Sequence, residues 1–149
     1  MSNRQISHDQ LVSLGARWLK KHQHNIKVPN CATVLVETVT ATNTGEIPDI
    51  IGWCSWTSVL IEVKISRGDF LKDLQKPFRI DPSLGVGDYR YYLVPDGLIS
   101  EKDVPVDWGL LLFDEKKGGI SIKKVARKLP VHWQSERAML LSFVRRASL

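Results

Sequence analysis

The chain has 149 residues, 43% of them hydrophobic and 25% charged, with a formal net charge of +5. Those proportions fit a soluble globular protein, and the length suits one domain with its own hydrophobic core. No stretch approaches the ~18 apolar residues of a membrane span, and the opening MSNRQISHDQ has no apolar run of the signal-peptide kind.

The charge is uneven. Residues 116–149 hold nine Lys or Arg against the single acid Glu136, a net of +8, which leaves residues 1–115 at −3. A basic C-terminal third points toward a polyanionic partner, and a solvated charged surface explains it equally well. Cys31 and Cys54 form no CxxC and no zinc pattern with the four histidines, so they read as reduced thiols of a cytoplasmic protein.

In chain order, Ser7 and Gln10 have the spacing of a capping box. Leu11, Leu14, Trp18 and Leu19 then repeat at helical spacing, with Lys20, Lys21 and His22 near the end. Pro29 and Asn30 break the chain. Residues 33–41 alternate as a strand, Asn43 to Gly45 turn, and residues 46–53 make a second strand, irregular at Pro48. Ser55 to Thr57 lead into a third strand over 58–65. Ser66 and Asp69 are spaced to cap a helix with Phe70, Leu71 and Leu74 as its apolar stripe, ended by Pro77.

Residues 80–88 read as a loop, followed by strands at Arg90–Val94, at Trp108–Phe113 and around Ile120 and Ile122. A basic helix is expected over about 135–147, with Met139, Leu140, Phe143 and Val144 on one face. The order suggests an α/β protein with a mixed sheet flanked by helices. Gly85-Val86-Gly87 precedes a strand rather than a helix, which gives no support to a phosphate-loop enzyme.

The third strand poses the functional question. Ile61, Val63 and Ile65 belong on one face, which leaves Glu62 and Lys64 with Leu60 on the other. Charges on a core strand need water, a partner or a metal. Asp49 lies thirteen residues before Glu62, and a hairpin through Cys54–Thr57 brings the two together. Close carboxylates call for a proton or a cation between them, and carboxylate oxygens suit Mg²⁺ held incompletely, so that phosphate and water complete its shell. A lysine beside them can orient a water and offset phosphate charge, the equipment of metal-assisted phosphodiester hydrolysis.

Pro48-Asp49 followed by Glu62-Val63-Lys64 resembles the PD-(D/E)xK nuclease superfamily, whose restriction-endonuclease-like core runs αβββαβ. Over most of its length the chain also resembles the MmcB-type family of proposed DNA-repair nucleases. The matching segments are Glu37, Ile47-Pro48-Asp49, Glu62-Val63-Lys64, Ser66-Arg67-Gly68-Asp69-Phe70 with Asp73, and Asp88 with Tyr91-Tyr92-Leu93-Val94. Pro105, Gly109-Leu110-Leu111 and Asp114 match as well, as does the final helix with Arg137, Ala138, Leu141 and Phe143. Two departures stand out: Ile47-Pro48 replaces a basic pair, and Gln75 replaces a helix lysine, with Lys76 beside it.

The resemblance implies a Mg²⁺-dependent endonuclease acting on DNA, with Mn²⁺ able to substitute. Asp49, Glu62 and the Val63 carbonyl would bind the metal, Lys64 would position the water, and Glu37 is a candidate third carboxylate. Lys72, Gln75, Lys76 and Arg79 are candidate phosphate contacts. Ser66 and Asp69 read as helix caps, the histidines as surface or capping residues, and Trp53, Trp56, Tyr89, Tyr91 and Tyr92 as packing. A homodimer would suit double-strand cutting by so small a protomer. The alternative reading is a non-cleaving module that binds DNA or protein on the same fold.

Overall fold

A computed structural model describes residues 4–21, 28–37 and 44–147. The expected helix end at His22, strand residues 38–41 and turn residue Asn43 lie outside the described residues. The elements run α1 (His8–Lys20), β1 (Thr33–Val36), β2 (Ile50–Cys54), β3 (Thr57–Val63), α2 (Arg67–Asp73), α3 (Pro77–Ile80), a 3₁₀ turn (Pro82–Leu84), β4 (Tyr89–Pro95), β5 (Gly109–Asp114), β6 (Gly119–Lys124) and α4 (Trp133–Ala147). The six strands form one mixed sheet in sequence order; β3, β4 and β5 are parallel, and the remaining neighbours are antiparallel. The expected mixed sheet with flanking helices is present.

The alternation of β3 divides the core. Val59, Ile61 and Val63 pack with Leu11, Val12 and Leu19 of α1 on one face. Leu60 packs on the other face with Phe70 of α2, Tyr92, Trp108 and Met139 of α4. The result is three layers: α1, the sheet, and the remaining helices. Glu62 lies on the same side as Leu60, under α2 and α3.

Both ends of α1 follow from its sequence. The Ser7 hydroxyl accepts the Gln10 N–H while the Gln10 side chain accepts the Ser7 N–H, so the capping box is complete. Gly15 lets the helix lie close on the sheet: a Cβ there would fall 2.8 Å from both Ile50 Cδ1 and Leu93 Cδ2.

Several boundaries differ from expectation. The second strand begins at Ile50 rather than residue 46, because Glu46 turns inward to pair with Arg79 instead of joining a ladder. The third strand ends at Val63, although the Lys64 N–H still donates to the Leu93 carbonyl at 3.1 Å. Helix α2 stops at Asp73, and Pro77 opens α3 at its first helical position, where a missing N–H costs nothing. The inward positions of α2 are Phe70 and Asp73, three apart, whereas Leu71 is exposed. Trp108 precedes its strand, and α4 begins two residues before Ser135. On α4, Met139 is buried, while Phe143 and Val144 face solvent.

Candidate active site

Asp49 and Glu62 meet across the β2–β3 hairpin. Its antiparallel register pairs Ile50 with Ile61, which sets Asp49 against Glu62 on one face. The Asp49 N–H donates to Glu62 Oε1 at 3.2 Å, and the Val63 N–H donates to Asp49 Oδ2 at 2.8 Å. Each carboxylate is thus fixed by the backbone of the opposite strand.

Beneath Glu62 is a buried ionic cluster. The Arg79 guanidinium donates to Asp73 Oδ2 at 2.8 Å, lies 3.4 Å from Glu62 Oε1, and pairs with Glu46. It is sandwiched near the Phe78 and Trp108 rings, each 4.9 Å away. Glu46 also accepts the Val86 N–H at 2.9 Å, and the Tyr92 hydroxyl donates to Asp73 Oδ2 at 2.6 Å.

The electrostatics follow from burial and charge. Burial pushes the Glu62 carboxyl well above its ordinary range. Arg79 opposes that rise, and the neighbouring Asp49, Asp73 and Glu46 add to it. Burial also acts to raise Asp73, but Arg79, the Tyr92 hydroxyl and Lys64 overcome it and hold the carboxyl at about 2.

Lys64 extends from the end of β3 toward α2, its Nζ 3.6 Å from Asp73 Oδ1. A cleft of about 400 Å³ opens here, lined by His8, Val63, Lys64, Lys72, Asp73 and Lys76, among others. Lys76 reaches Asp73 Oδ1 at 3.0 Å, so it is Lys76 rather than Gln75 that takes the inward place left open by the sequence. Gln75 is exposed.

Arg79 is a correction. Read from sequence as a phosphate contact, its side chain is only 2% exposed and is committed to three carboxylates. An arginine shielded from solvent and held by acids has no reach to a nucleic-acid backbone.

Glu37 adopts a left-handed backbone, φ 47°, and its N–H donates to the Asp49 carbonyl at 2.8 Å. Its exposed carboxylate groups with His8 and Asp9, their ligand atoms within 4.8 Å of one another, rather than with Glu62. His8 was read as a capping or surface residue. It is the first residue of α1, beside the cap and partly exposed, and its Nε2 lies 3.4 Å from Asp49 Oδ2, a contact the sequence reading did not include. Sequence spacing held no signal for it, since α1 reaches the site only through tertiary packing. Glu46 was missed for the same reason.

No family model matches the chain, and no curated protein matches it. Among solved structures it is similar to the SPO1766 protein of unknown function from Silicibacter pomeroyi. The two share 22% identity with a TM-score of 0.55, over 77% of this chain and 76% of that one. At that identity the likeness speaks to the fold alone.

Proposed function

We propose that the protein is a metal-dependent nuclease that hydrolyses DNA phosphodiester bonds in the manner of PD-(D/E)xK enzymes. The observation that carries this reading is the β2–β3 register, which sets Asp49 beside Glu62, next in sequence to Val63 and Lys64 of the cleft wall. The donor set also suits a hard cation. Two adjacent carboxylates are the oxygen ligands that Mg²⁺ and Mn²⁺ prefer.

Asp49, Glu62 and the Val63 carbonyl would hold the ion, which when bound supplies Lewis-acid polarisation of a phosphoryl oxygen and a more acidic water. The chain's residues do the rest. Lys64 stabilises charge growing on the phosphoryl oxygens and orients the water. Lys72 and Lys76 hold the phosphate in the cleft. In hydrolysis the water oxygen bonds to phosphorus as the bond from phosphorus to the leaving sugar oxygen breaks. Water gives up one proton, and the leaving oxygen takes one from solvent. DNA is the proposed partner, and the cytoplasm the proposed compartment.

Manganese diffraction and calorimetry test the metal site. We expect an anomalous peak between Asp49 and Glu62 and a binding heat that disappears in Asp49→Ala. Absence of both in the folded wild type would exclude the proposed centre.

A further inference from the structure

Asp73 is fully buried, and its two oxygens have different surroundings. Oδ2 is saturated by Arg79 Nε at 2.8 Å and the Tyr92 hydroxyl at 2.6 Å. Oδ1 makes no hydrogen bond of good geometry, although the Lys76 and Lys64 ammonium groups face it at 3.0 and 3.6 Å. A buried oxygen without a hydrogen bond is expensive to keep. Here it lies beside the cleft and is shared by two lysines of unequal freedom. Lys76 is half-exposed, on the turn after α2. Lys64 is 14% exposed and tethered to the sheet through its backbone N–H.

We propose that Asp73 is the positioning residue for Lys64, and that Lys76 competes for the same oxygen until substrate phosphate draws it away. The proposal rests on the nuclease reading above. Arg79 and Tyr92 fix Oδ2, so the carboxylate cannot rotate, and Oδ1 stays aimed at the lysines. In the free protein the shorter contact belongs to Lys76. A phosphate entering the cleft offers Lys76 a solvent-side anion, since its long side chain can swing outward. Lys64, far less exposed and rooted at the end of β3, stays beside Asp73 and inherits Oδ1. The Lys64 ammonium is then held at a single point at the moment the phosphate arrives, which couples binding to completion of the site.

The test separates kcat from KM on a DNA duplex with Mn²⁺. Asp73→Asn keeps the side-chain shape; kcat should fall about 100-fold, the cost of a reacting group misplaced by about an ångström, with KM within about threefold. Lys76→Met should raise KM about tenfold, the loss of one charged phosphate contact, and leave kcat unchanged or higher. A fall in kcat for Lys76→Met overturns the proposal even if Asp73→Asn does not fold. Equal losses in kcat and KM for Asp73→Asn that track its stability would reduce Asp73 to a structural residue and also overturn it. A denaturation cycle over Asp73→Asn and Lys64→Met in the Lys76→Met background, where Lys64 has Oδ1 to itself, reads the contact without activity. Their effects on the folding equilibrium should be non-additive by about threefold or more, and additivity contradicts the contact. A wild type that cuts no DNA while that cycle remains coupled would defeat the nuclease reading and leave the ion pair standing.

Discussion

Glu62 combines burial, three acidic neighbours and one arginine, and the balance of these has consequences for stability. A carboxyl whose folded pKa lies above its unfolded value contributes stability below the unfolded value and loses it as pH rises through the folded one. Without metal, the Glu62 contribution should therefore be lost as pH climbs from the ordinary carboxylate range. Glu62→Gln removes that penalty, so thermal denaturation at neutral pH should show the variant to be at least as stable as the wild type while metal binding is abolished. Asp73 has the opposite sign. Its contribution is present above the ordinary aspartate value and is lost as pH falls toward about 2. Arg79 is the counterion for both. Arg79→Met leaves Glu46, Glu62 and Asp73 buried without it, a change of the kind that costs about 3–5 kcal/mol, and urea denaturation should report a loss of that size.

Elements decide whether those residues meet. Helix α1 delivers His8 to Asp49 because Gly15, seven residues on and so on the same face, seats the helix closely on β2 and β4. Gly15→Ala places a methyl against the ends of the Ile50 and Leu93 side chains, and with alanine's helix gain of about 1 kcal/mol set against the overpacking, denaturant titration should show a net loss of no more than about 1–2 kcal/mol. The hairpin was legible in the sequence. Period-two alternation in 58–65 separated Ile61 and Val63 from Glu62, and a short turn at Ser55–Thr57 was enough to set Asp49 opposite. The ionic cluster was not legible. Arg79 follows a proline in a short helix and looks like any surface arginine; only the closure of α3 over β4 encloses it with Glu46, Phe78 and Trp108. Asp73 appeared within a recurring motif, but its inward position on α2 depends on a three-residue step from Phe70 that the apolar stripe through Leu71 obscured.

At the scale of the whole molecule, the first and last helices pack on the sheet. Glu136 ties α4 to it, accepting from Trp53 Nε1, the Ser58 hydroxyl and the Gly87 N–H, each at 2.9 Å. The basic C-terminal residues run from Lys116 and Lys117 in the β5–β6 turn through β6 and its following segment to α4. No helix among the described residues is long and apolar enough to cross a membrane. If the protein engages DNA through lysines and arginines, affinity should fall linearly on a log–log plot as salt rises, with a slope near −0.9 per phosphate neutralised. Fluorescence anisotropy with a labelled duplex measures that slope.

The most direct measurement is cleavage of supercoiled and linear DNA by purified protein with Mg²⁺ or Mn²⁺. Nicking or cutting should require the metal and stop in EDTA. Asp49→Ala and Lys64→Ala should abolish it while retaining a cooperative unfolding transition. Intact DNA in every form, together with no heat of metal binding to the folded wild type, would contradict the account at its centre.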